Sequence, residues 1–250
     1  MGTKKLTSAV ERTSVGPHRT TARIIGALYL AGMVVGIGGS MLIQPVLTAP
    51  DLLPSIATNG ALLAVGGILW LITVAGDAAH GVLMFPVLRA GSERLAVGYL
   101  AARILDAMLV AVMVLLIVMQ IPVGAEYLQT AATETAHLEA LSAVLTAANV
   151  YAYEFGMAAL GVAGLILCSA FFRSRLIPRG LAVWGLVGYA TLLGGSILEI
   201  LGVHLGSIQV IPGGLWEIFI GFWLIVKGFT AAPFPTATAP VPAALASSRL

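Results

Sequence analysis

Charge is scarce in this sequence: Asp, Glu, Lys and Arg make up 10% of its 250 residues, whereas 59% are hydrophobic. Soluble domains carry about a quarter charged residues, so this chain has too little polar surface to face water on all sides. A single cysteine, Cys168, excludes an internal disulfide. It lies in an apolar run, where a small buried hydrophobe is expected rather than a reactive thiol. No Cys/His spacing resembles a zinc site, and no metal or other cofactor is expected. The net charge of +2, with no basic stripe carrying interleaved aromatics, gives no reason to expect a nucleic-acid partner. What the chain has instead is apolar length, with a mean hydropathy of +1.00. Lipid is the solvent that suits it.

Six apolar runs are each long enough to cross a hydrocarbon core of roughly 30 Å, near 22–43, 64–88, 95–121, 150–172, 181–203 and 210–229. They exceed strand length and lack period-2 alternation, which predicts an all-α, six-helix transmembrane bundle. The second run begins near Asn59 and is longer than one crossing, so its start is expected to lie along the surface or the helix to tilt. Between the third and fourth spans, Leu138, Leu141, Val144, Leu145 and Ala148 recur at helical spacing opposite Glu134 and Glu139. They predict an outer amphipathic helix leading into the fourth span. Residues 1–21 and the Pro/Ala-rich 230–250 read as flexible tails flanking a transmembrane domain over 22–229.

Orientation follows from the basic residues. Lys4, Lys5, Arg12, Arg19 and Arg23 precede the first span. Arg89 and Arg94 lie in the second connection, Arg173, Arg175 and Arg179 in the fourth, and Lys227 and Arg249 close the chain. The first, third and fifth connections hold no Lys or Arg. Only Arg103 falls inside a span. Both tails are therefore expected in the cytoplasm. The polar lead ahead of the first span is long and its apolar run exceeds a signal peptide's, so that span is expected to be retained.

The spans starting on the basic side open alike, as in Arg94-Leu-Ala-Val-Gly-Tyr99 and Arg179-Gly-Leu-Ala-Val-Trp184, and Arg23 is followed by Tyr29. A three-fold duplication of a helical hairpin would fit this, and a headgroup Arg with an interfacial aromatic beyond it, the favoured reading, accounts for it without one. Gly32, Gly36 and Ser40 form a small-residue ridge, and Gly161, Gly164, Gly188, Gly194 and Gly195 offer close approach, all read as packing within the chain.

Charges within spans cost about 2.5–3.5 kcal/mol each on insertion scales, so each needs a partner or a role. A turn at Gly91-Ser92 puts Asp77 level with Asp106 and His80 level with Arg103. Each helix presents its two residues three apart, on one face. The resulting mid-membrane layer, Asp77, His80, Arg103 and Asp106, has two readings. It is a candidate binding site for a small molecule or proton, or a structural clasp fixing the hairpin register. A second, acidic group is expected nearer the outside. Glu154 and Glu199 are level about the fourth connection, Glu217 is placed at comparable depth, and Asn149, Tyr151, Tyr153, His204, Gln209 and Trp216 lie nearby. Three converging carboxylates would share protons or hold a cation, and the alternative is that each snorkels to the interface.

Three functional classes follow: a transporter, proton-coupled carrier or sensor using the polar layer; a structural or accessory membrane subunit; and an intramembrane enzyme. For the last, Asp77 and Asp106 offer an aspartyl pair, but Arg103 would hold both ionised. Only Ala75-Gly76-Asp77 stands where such proteases have Gly-x-Gly-Asp, and the Gly-x-Ser-Gly of intramembrane serine proteases does not occur. No catalytic residue is assigned. The bilayer is the expected partner, and oligomeric state is left open.

Three stretches carry a family resemblance. Ala22-Arg-Ile-Ile-Gly-Ala-Leu-Tyr-Leu30 opens the first span, Phe172-Arg-Ser-Arg-Leu-Ile-Pro-Arg179 followed by Gly-Leu-Ala-Val-Trp-Gly-Leu joins the fourth and fifth, and Trp223-Leu-Ile-Val-Lys-Gly-Phe229 ends the sixth. Over about residues 20–230 the chain resembles the bacterial multi-pass family called domain of unknown function 4386. The resemblance implies a six-helix protein of the bacterial inner membrane and no particular activity.

Overall fold

Long apolar runs satisfy their backbone groups internally by forming helices, and the computed structural model describes residues 16–131 and 134–230 in that form. In chain order the helices are α1 (Gly16–Leu47), α2 (Leu52–Arg89), α3 (Glu93–Val118), α4 (Gln120–Tyr127), α5 (Ala136–Ser174), α6 (Arg179–Ile200) and α7 (Ile211–Val226), with a 3-10 segment at Gly206–Val210. Six stretches are long and apolar enough to cross a membrane: Arg19–Leu47, Leu52–Arg89, Glu93–Tyr127, Ala136–Ser174, Arg179–Ile200 and Gly206–Val226. Each predicted span falls on one of these. The predicted tails lie mostly outside the described residues, but Gly16–Thr21 already belongs to α1.

Each spanning helix packs on its neighbours in sequence, α1 on α2, α2 on α3, α3 on α5, α5 on α6 and α6 on α7, and α7 closes a ring against α1. With no water to drive helices together in lipid, close van der Waals approach does the work, and small residues permit it. A Cβ on Gly164 would lie 2.1 Å from Cγ of Tyr189, one on Gly161 2.8 Å from Cβ of Leu193, and one on Gly188 2.9 Å from Cα of Gly213. Gly195 meets Gln209, whereas Gly194 faces open space. Buried polar groups lock the third connection. Gln120 donates to Thr146 Oγ1 (2.9 Å) and the Ser142 carbonyl (3.1 Å), and the Ser142 hydroxyl donates back to its Oε1 (2.9 Å). The outward faces are apolar: Val34 is 72% exposed, Met41 71% and Val226 65%. Such a surface is suited to hydrocarbon, and the chain is a six-helix multi-pass membrane protein.

Three features differ in detail from the sequence reading. The long second run is one helix with a kink at Asn59 (φ −118°, ψ 22°), whose side chain donates to the Ser55 carbonyl (2.9 Å). The amphipathic helix ahead of the fourth span is present, but it is continuous with that span in the 39-residue α5. At 1.5 Å per residue α5 is about 58 Å long, so it projects past the hydrocarbon or tilts. Its inward face there is Leu138, Ser142 and Leu145, while Leu141 and Val144 point outward. Finally, after Gly202 (φ 86°) and Gly206 (φ 64°) turn the chain, the 3-10 segment packs against α6 before α7 begins.

Candidate functional site

The α2–α3 hairpin sets the depth of every group on it. Ser92 caps α3, its hydroxyl accepting from Leu95 N–H. A Cβ on Gly81 would meet Leu100 and Arg103, and one on Gly67 would meet Val114 and Val118, so the two helices run level about the turn. Arg103 consequently pairs with Asp77 across the hairpin and with Asp106 one turn along its own helix, where Nη1 lies 3.3 Å from Oδ2. His80 is level with Arg103 but takes a different partner. Its Nδ1 is 2.6 Å from the Tyr99 hydroxyl, and its ring packs edge-on to Tyr29 with centroids 4.4 Å apart.

The layer has two unlike flanks. The side chain of Asp106 is 1% exposed and that of Arg103 6%, whereas that of Asp77 is 26% exposed. Asp77 borders a cavity of about 680 Å³ inside the ring. Asp77, His80, Arg103 and Glu217 line it at mid-helix, and Ser40, Gln44 and Ser207 line it toward the end of the bundle away from the basic residues. Its remaining wall is mainly apolar and aromatic, including Tyr29, Trp70, Tyr153 and Tyr189. The ridge of Gly32, Gly36 and Ser40 borders this space: a Cβ on Gly36 would still touch Thr73 (3.6 Å) and Trp70 (3.9 Å) of α2, but nothing lies within 4 Å of one on Gly32.

The three outer carboxylates do not converge. Glu154 is buried between α5 and α6 beside Ser196 and within electrostatic reach of Glu199. Glu199 turns to the chain that follows it, accepting from the backbone N–H groups of Leu205 and Gly206 (the latter 2.8 Å) and facing Nδ1 of His204 at 3.2 Å. Neither lines the cavity. Glu217 does, accepting from the Tyr189 hydroxyl at 2.8 Å and interacting with Arg103 and Asp77. Tyr189 precedes Glu199 by about ten residues, so Glu217 sits roughly 15 Å along α6 toward the basic end. Glu217 lies deeper than its place in the sixth span suggests because the 3-10 segment carries the chain back into the bundle: Gln209 meets Gly195 and Gly213 meets Gly188. Glu217 belongs with the mid-membrane layer. Among the described residues no group of three His, Cys, Asp or Glu is arranged to hold a metal ion.

Sequence reasoning also missed Tyr29, Tyr99 and Tyr189. The first two follow an Arg at a helix start and look like interfacial aromatics, yet Tyr99 is 1% and Tyr29 9% exposed. Trp216, expected only to lie near the acidic group, is fully buried and donates to the Leu181 carbonyl (2.7 Å) past Gly185, whose missing side chain makes room for the indole.

No curated protein and no solved structure matches this chain. Residues 24–228 match a family described as a domain of unknown function, spanning all six helices and the whole of the cavity wall. The chain belongs to that family, DUF4386.

Proposed function

We propose that the protein holds a small molecule in its central cavity, for carriage across the membrane or for sensing, with proton exchange at the Asp77, His80, Arg103 and Asp106 layer coupled to occupancy. One observation carries this reading: the cavity reaches the ion-paired layer and exposes Asp77 to it. A purely structural clasp is best kept dry, because solvent and ligands compete with a buried pair. Intramembrane carboxylates beside a cavity are the residue set that proton-coupled carriers use. Proposed with it are a bacterial inner-membrane location and cytoplasmic tails, supported by the gathering of Arg19, Arg23, Arg89, Arg94, Arg173, Arg175, Arg179 and Lys227 at one end of the bundle.

The test is uptake or binding measured across pH in proteoliposomes. It should depend on pH in the parent chain and be lost in Asp77→Asn, with the protein still folded by thermal melting. Activity unchanged in Asp77→Asn would refute the coupling.

The structural-subunit reading draws on Asp106, which is fully buried and tied to Arg103 away from the cavity. It requires that joint apolar replacement of the layer preserve the cellular phenotype. An aspartyl-protease reading is disfavoured because Arg103 stands between Asp77 and Asp106 and pairs with both.

A further inference from the structure

We infer that the cavity takes a cationic amphiphile, a protonated or quaternary centre on an apolar body, admitted from the lipid through a gap between α1 and α7. The inference rests on the binding reading above and names its ligand class.

The gap comes first. α1 and α7 touch near the basic end, where a Cβ on Gly26 would stand 2.5 Å from the Gly221 carbonyl oxygen. Further along they separate: Gly32 meets nothing within 4 Å, and Gly214 meets only Met33 Cε at 3.8 Å. The cavity wall there includes Ile37, Met41 and Leu215, which are 55%, 71% and 53% exposed on the apolar outside of the ring. An opening rimmed by such side chains faces hydrocarbon, so what passes it must partition into lipid.

Charge comes second. At the cavity floor, Asp77 and Glu217 stand near the single guanidinium of Arg103, which is already engaged by Asp77 and, behind the floor, by Asp106. Among the described residues the hydrogen-bond partner of Glu217 is the neutral Tyr189 hydroxyl. In a cavity whose wall is mainly apolar, an uncompensated carboxylate attracts a cation and repels an anion more strongly than it would in open water. The aromatic lining of Tyr29, Trp70, Tyr153 and Tyr189 acts in the same sense, since aromatic rings attract a cation that reaches their faces. Third, His80 is 2% exposed and its Nε2 has no hydrogen-bond partner among the described residues. When the Tyr99 hydroxyl donates to Nδ1, Nε2 carries the ring proton; in the other tautomer Nε2 accepts from an ammonium. The groups lining this floor are Tyr29 from α1, Asp77 and His80 from α2, Arg103 from α3, Tyr153 from α5, Tyr189 from α6 and Glu217 from α7, with Tyr99 and Asp106 of α3 packed behind them.

The experiment uses the full chain in lipid nanodiscs and two probes of like shape and opposite charge, tetraphenylphosphonium and tetraphenylborate, in equilibrium binding. Saturable phosphonium binding is expected, weakened about ten-fold or more by Glu217→Gln, which keeps the acceptor for Tyr189 but removes the charge. Gly32→Phe, which fills the open space by the gap, should abolish it. Should that variant not fold, Glu217→Gln alone decides. Borate binding equal to or tighter than phosphonium binding would overturn the cationic class and leave the cavity reading standing. Saturable binding of neither probe, by protein with an intact melting transition, would overturn both. Phosphonium binding unchanged in Glu217→Gln would also overturn the inference.

Discussion

Arg103 is the residue on which the polar layer turns. Removing one partner of a buried ion pair strands the other charge and costs about 3–5 kcal/mol. Arg103→Gln leaves both Asp77 and Asp106 unpaired, so its melting transition in detergent should fall by an amount of that order. Asp77→Asn should cost clearly less, because Asp77 borders the cavity and Arg103 keeps Asp106. Equal losses would mean that the two flanks of the layer are alike. Tyr99→Phe removes the one partner of His80 Nδ1 and should cost about 1–3 kcal/mol, seen as a lower melting temperature. The Asp77–Arg103–Asp106 pairing was legible in the sequence because a two-residue turn fixes depth on both helices and charges in lipid must find one another. The role of Tyr99 was not, since a tyrosine one turn past a headgroup arginine has two common explanations and only tertiary packing separates them.

At the scale of the helices, the α5–α6 seam places the groups that line the cavity. Gly164 receives the ring of Tyr189, whose hydroxyl holds Glu217. Gly164→Ala should destabilise the protein by about 1–3 kcal/mol through overpacking, measured by thermal melting. If ligand binding is measured in the same variant, it should fall as well, because Tyr189 must shift away from Glu217. Apolar length and the basic residues told where helices begin and end, and glycine spacing told where they approach. Glu217 was misplaced because its depth was counted from the apparent start of the sixth span, with no allowance for the segment before it entering the bundle. Nothing in the residues of Gly206–Val210 announces that this segment folds back along α6, since that depends on Gln209 finding the bare surface of Gly195. Gly32 misled for a related reason: small residues allow a neighbour to come close, as Gly36 does for Thr73 and Trp70, but equally leave room where none does.

For the whole molecule, a ring of six helices with a cavity in place of a seventh explains why so many spans carry polar groups on inner faces and few on outer ones. Its central claim is that this cavity admits water from the end opposite the basic residues as far as the charged layer. Cysteine accessibility tests this directly, because the native Cys168 is fully buried and contributes little background. Single cysteines at Gly36 and Thr73, on the cavity wall, would be compared with cysteines at Val34 and Leu71, on the lipid face, using a membrane-impermeant charged thiosulfonate added to right-side-out cells. Gly36→Cys and Thr73→Cys should label while Val34→Cys and Leu71→Cys stay protected. Protection of all four, in protein that is folded and inserted, would contradict the claim.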